Sequence, residues 1–128
     1  MVPYVKQGNI FVAVDSVIEQ KPDVALTQIH KLVDEGYTPG YIISMIARQV
    51  RLLLLTKAFK AKGVQHSKLG NKLSLSGYPL QKTLEQEQRI SPDRLTRLHL
   101  NLLEADADIK NGSSINTILE ILVVKLAN

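Results

Sequence analysis

The chain has 128 residues, 45% hydrophobic and 22% charged, with a net charge of +4 and no cysteine. That length fits one domain, and the balance is that of a globular protein, not a disordered one. Without cysteine there is no disulfide framework and no thiolate metal site, which suits a cytoplasmic protein; the opening MVPYVKQGN has no charged run leading into an apolar one, so no signal peptide is expected.

The first helix is expected to start at an Asn9 cap and run to about Lys21, with Ile10, Phe11, Val14, Val17 and Ile18 at spacings of three and four. Residues 1–8 read as a linker remnant and 9–128 as the helical domain. Pro22 opens a second helix, where its missing N–H costs nothing, and Gly36 stops it after Ala25, Leu26, Ile29, Leu32 and Val33. Thr38-Pro39 repeats the start signal for a third helix that reaches about Lys62, with Gly63 beyond its end. Ile43, Ile46, Ala47, Val50, Leu54, Ala58 and Ala61 form one apolar face of this helix; Met45, Leu52, Leu55 and Phe59 form another. A helix apolar around most of its girth is central, packed on several sides. Arg48 and Arg51 share the remaining side with Ser44.

Residues 64–79 look irregular. A short helix over Ser67–Leu73, interrupted by Gly70, is followed by SLSGYP, which reads as a loop. A further helix spans about Leu80 to Arg89. Ser91-Pro92-Asp93 starts the next, with the stripe Leu95, Leu98, Leu102, Ala105 and Ile109, and Asn111-Gly112 ends it. Ser114 caps a last helix that buries Ile115, Ile118, Leu119, Leu122 and Leu126. No stretch alternates with period two long enough for a strand. The fold class is all-α: a compact bundle of five to six helices, with short connections that favour antiparallel neighbours. Ile46, Val50, Leu54, Leu98 and Leu102 are its expected core.

Charge is unevenly spread. Between Gly36 and Leu84 lie Arg48, Arg51, Lys57, Lys60, Lys62, Lys68, Lys72 and Lys82 and no acid, so the middle carries +8 and the flanks −4. This asymmetry suits contact with a polyanion, or a lysine-rich solvated face. A membrane span through Leu52–Leu55 is excluded, because Arg48 and Arg51 near the bilayer centre each cost roughly 2.5–3.5 kcal/mol.

Motifs for chemistry are missing. The sequence has no G-x-x-x-x-G-K-[ST], G-x-S-x-G, H-E-x-x-H or G-x-G-x-x-G. His30, His66 and His99 are far apart and read as surface or structural residues, not metal ligands. Glu104, Asp106 and Asp108 read as an exposed acidic face. No catalytic residue, cofactor or metal is expected, and an enzyme reading has little support.

The run IFVAVDSVIEQKPDVALTQIHKLVDEGYTP, then IISMIARQVRLLLLTKA, then KLSLSGYPLQKTLEQEQRISPDRLTRLHLNLLEADADIKNG and a closing helix closely resembles the C-terminal domain of the delta subunit of the bacterial DNA polymerase III clamp loader. The likeness covers about Ile10 to Leu126. Its most specific parts are Ala47–Leu53, the Gly77-Tyr78-Pro79 turn, and Glu104–Asp106 with Lys110-Asn111-Gly112; Leu80 stands where the family often has an aromatic. The resemblance implies a non-catalytic collar domain that joins the gamma or tau subunits and delta prime in a five-membered ring, preceded in the whole subunit by two AAA+-like domains. It also implies weak contact with single-stranded template DNA in the assembled complex, through Tyr78, Lys82, Lys110 and Asn111. Arg48 and Arg51 are then candidates for a subunit interface or a structural ion pair, Arg48 with Asp106. The alternative is a free-standing helical nucleic-acid-binding protein using the basic 48–82 segment, which steep salt-dependent DNA affinity of the isolated domain would favour.

Overall fold

The computed structural model describes the backbone of residues 3–127 and the side chains of 9–126. It contains seven helices and, among the described residues, no strand: α1 Pro3–Ile18, α2 Pro22–Asp34, α3 Pro39–Ala61, α4 His66–Leu73, α5 Gly77–Arg89, α6 Pro92–Lys110 and α7 Ile115–Ala127. The all-α class stands, with one or two helices more than expected.

Local chemistry explains the starts of α3 and α6. Thr38 Oγ1 accepts from Tyr41 N at 3.2 Å and Ser91 Oγ accepts from Arg94 N at 3.1 Å, each with a proline in the first turn. These caps satisfy N–H groups that the helix itself cannot. Three boundaries differ from the sequence reading. The first helix begins at Pro3, so Asn9 lies inside it, and Pro3–Gly8 continue into α1; it ends at Ile18, short of Lys21. The fourth helix runs unbroken through Gly70, where a Cβ would stand 2.9 Å from Leu75 O and 2.9 Å from Leu80 Cδ2. Gly70 is there for close approach, not as a breaker. The stretch SLSGYP is not all loop: Gly77 enters α5 with φ +62°, and Tyr78 and Pro79 lie in its first turn, where proline removes no intrahelical bond.

Helix α3 is the hub. It packs on α1, α4, α5, α6 and α7, while α1 pairs with α2, and α7 closes over α1, α2 and α6. Burial follows. Ile42, Ile46, Val50 and Leu53 on α3 face Ile10, Val14 and Val17 of α1, Leu95 and Leu98 of α6, and Leu119 and Val123 of α7 in one cluster. Ile46, Val50, Leu98 and Leu102 are buried as expected, but Leu54 is only half-buried and Leu55 is 39% exposed. Phe11 and Val33, placed on core stripes by spacing, are also exposed, and Ile115 and Ile118 are half-buried. Each lies at the margin of its helix's apolar arc, where the neighbouring helix no longer covers it.

Polar groups inside the bundle are satisfied. Ser16 and Thr56 donate to the carbonyls four residues back, Val12 O and Leu52 O, both at 2.7 Å. Arg94, in the first turn of α6, donates to Ile18 O and to Leu126 O, each at 2.8 Å. It thus places a cation on carbonyls at the C-terminal ends of α1 and α7, where the helix dipoles favour it. No described helix is long and apolar enough to cross a membrane.

Candidate functional site

A polar layer joins α1, α3 and α5. Gln49 Nε2 donates to Gln86 Oε1 at 2.8 Å and to Thr83 Oγ1 at 3.2 Å. Gln86 Nε2 in turn donates to Asp15 Oδ1 at 2.8 Å and Glu19 Oε2 at 2.9 Å. Lys82 Nζ closes the layer on Glu19 Oε2 at 2.8 Å. Burial pushes the Asp15 carboxyl up, partly offset by the Gln86 bond and the Lys82 charge. Burial also pushes Glu19 up, but the bonds from Lys82 and Gln86 outweigh it and hold Glu19 below its ordinary value. The bond to Glu19 holds Lys82 above its own. A second node adjoins it on α5, where Glu87, next to Gln86, accepts from Lys60 Nζ at 2.7 Å and Lys57 Nζ at 3.1 Å.

These nodes revise the electrostatic picture. Acids from the flanks come back onto the basic segment, so Lys57 and Lys60 share Glu87, and Lys82 pairs with Glu19. Among the described residues Arg48, Arg51, Lys62, Lys68 and Lys72 make no ion pair. Arg48 does not pair with Asp106. Asp106 is held by Lys110 at 2.8 Å and lines a different groove from Arg48. Successive turns of α3 send Arg48 toward α1 and α5 and Arg51 toward α6, so the side they appeared to share is split between two neighbours.

The α1–α3–α5 groove, of about 200 Å³, has apolar walls from Phe11, Leu52, Leu75 and Pro79. Arg48, Tyr78 and Lys82 all reach it. Tyr78 is 69% exposed, so it does not cap the core. Lys110 and Asn111 are exposed at the end of α6, which packs on α3 and α7 and hardly on α5. The four candidate strand-contact residues therefore fall into two places. The second groove, about 530 Å³ between α3 and α6, is lined by Ile43, Ala47, Leu54, Leu102 and Leu103 with Arg51, His99 and Asp106 at polar positions.

Sequence reasoning missed the polar layer. Its signal was present: Gln49 lies three residues after Ile46 and four before Leu53, at a core register, and Thr83, Gln86 and Glu87 share one face of α5. His30, His66 and His99 are exposed, and no group of three metal-ligating side chains occurs among the described residues.

Comparison with known proteins gives the lineage. The model of one family, described as the C-terminal domain of the DNA polymerase III delta subunit, matches residues 7–126. A curated relative, DNA polymerase III subunit delta of Bacillus subtilis (strain 168), is 24% identical over 121 residues, 94% of this chain and 35% of the relative. The solved structure of the Bacillus subtilis DNA clamp loader delta protein superposes with a TM-score of 0.81 at 23% identity, over 95% of this chain and 36% of that one. The chain thus spans about a third of the length of both. With its helical architecture shared and the family model covering nearly its whole length, the chain belongs to the family of C-terminal domains of DNA polymerase III delta subunits.

Proposed function

We propose that this domain is a non-catalytic assembly module of a clamp loader, seating its delta subunit beside gamma or tau and delta prime subunits in a helical collar that supports placement of the sliding clamp on primed DNA. The observation that carries this reading is the family match over residues 7–126, joined to a fold shared with a clamp loader delta protein. The surface supports it. Leu100 and Leu103 of α6 and Ile121 of α7 stand exposed, and the apolar α3–α6 groove opens beside Arg51. Apolar side chains of this size and a free guanidinium are what subunit interfaces draw on. In this reading Tyr78 and Lys82 on one side, and Lys110 and Asn111 on another, meet the template strand in the assembled complex, and residues 1–8 lead in from the preceding domain.

The test is to mix the domain with gamma or tau and delta prime collar domains and measure mass in solution by light scattering. A stable hetero-oligomer is expected. A domain that stays alone with every collar partner, yet binds DNA tightly with a steep salt dependence, would replace this reading with the free-standing DNA-binding one.

A further inference from the structure

We infer that Arg48, rather than Lys82, is the phosphate-binding cation of the Tyr78 groove, and that the groove takes one nucleotide unit of a single strand, base against Tyr78 and phosphate against the guanidinium. The inference rests on the template-strand reading above and assigns the charge within it.

Lys82 is poorly placed for the task. Its Nζ lies 2.8 Å from Glu19 Oε2, so a phosphate approaching it meets the Glu19 carboxylate and must break an existing pair. Arg48 differs in its partner: like Lys82 it is half-buried and lines the groove, but it forms no ion pair among the described residues. Asp15, the acid that lines this groove, is already engaged by Gln86 Nε2 at 2.8 Å. A guanidinium with no ion-pair partner in a partly desolvated place gains more from an anion than a lysine already paired with a carboxylate does. Its planar fork of N–H donors also matches two phosphate oxygens at once. Tyr78 supplies an exposed ring at the same groove, a surface on which any base can stack. The groove holds about 200 Å³, below the roughly 300–1,000 Å³ of ordinary small-molecule pockets. That size suits one unit of a passing strand and not a whole cofactor.

The experiment titrates an oligothymidylate into this 128-residue chain at several low salt concentrations, read by amide chemical-shift changes. Arg48→Ala is expected to weaken binding about tenfold and to lower the log–log salt slope by about 0.7, one phosphate contact on a single strand. Arg48→Lys should keep the slope and lose part of the affinity, because an ammonium cannot fork. The charge-neutral double substitution Glu19→Gln with Lys82→Met should change the slope less than Arg48→Ala does. The reverse ranking overturns the assignment, as does Arg48→Ala binding like the parent while Tyr78→Ala binds about tenfold more weakly. An effect of Arg48→Ala on affinity without a change in slope marks a merely structural role and also overturns it; Arg48→Gln gives the same readout if the alanine variant does not fold. If Tyr78→Ala is indifferent, the template-strand reading itself falls and the Arg48 assignment with it; a parent with no shift even at the lowest salt overturns the Arg48 assignment alone, because the groove then holds no phosphate by itself.

Discussion

Replacing Gln86 with Leu tests the polar layer most directly. The side chain is buried and makes three bonds of 2.8–2.9 Å: one with Gln49, two to the carboxylates of Asp15 and Glu19. A neutral hydrogen bond contributes about 1 kcal/mol net, and each bond to a charged acceptor about 1.5–3 kcal/mol, so the loss is about 4–7 kcal/mol. A leucine in the same place recovers about 1.5–3 kcal/mol of apolar burial, leaving a net cost of about 1–5 kcal/mol. Part of that cost depends on pH. The Asp15 carboxyl, already pushed up by burial, loses the bond that pulls it back down. A group whose folded pKa lies above its unfolded value stabilises the fold at low pH and loses that contribution as pH rises through the folded value. In the variant this loss is larger at neutral pH, so the cost of Gln86→Leu should shrink as pH falls toward the carboxylate range. Urea unfolding at pH 7 and pH 5, followed by circular dichroism, measures both. A cost under about 1 kcal/mol at neutral pH, or one that grows on acidification, would refute the reasoning.

Three further outcomes are expected. Leu53→Ala should cost about 2–5 kcal/mol, and Leu54→Ala clearly less, because Leu53 is fully buried and Leu54 half-buried; equal losses in denaturant melts would contradict this. Ser74 ends α4 with φ +57°, a left-handed conformation, so Ser74→Gly should stabilise by about 0.5–1 kcal/mol, and a lower melting temperature would count against it. Glu87 is pushed up by burial but held below its ordinary value by Lys60 and Lys57, so its contribution is present above the unfolded carboxylate pKa and lost as pH falls through the lower folded one. Glu87→Gln should therefore flatten the acid side of the stability profile, and a variant as acid-sensitive as the parent would remove Glu87 from the account.

Some of this was legible because it is local. Thr38-Pro39, Ser91-Pro92 and Asn111-Gly112 act within a turn of themselves, and the helices they bound are where sequence placed them. Gly70 and Gly77 misled for a related reason. Each looks like a turn residue in the sequence, but Gly70 is explained by its close approach to Leu75 and Leu80 beyond α4, and Gly77 by its positive φ at the first position of α5. Helix α3 illustrates a different limit. Apolar residues all round it announce a central helix, but they leave its rotation undetermined, so Leu53 and Leu54 could not be ranked. The Tyr78 groove is assembled from α1, α3 and α5, remote in sequence, so spacing along the chain points Arg48 to Asp106 and gives no sign that it lies beside Tyr78.

The two bonds of Arg94 have a kinetic consequence. They tie residue 94 to residues 18 and 126, separations of 76 and 32 along the chain. The first needs α1 and α6 in place and the second α6 and α7, so the pair is complete only when all three have docked, and closing such long loops is entropically unfavourable early in folding. The fork should therefore be missing from the transition state and act as a late fastening. Arg94→Ala is expected to leave the refolding rate nearly unchanged and to speed unfolding by most of its stability loss, a φ-value near zero. Stopped-flow chevrons resolve the two arms, and a slowed refolding arm would place this fastening in the nucleus instead.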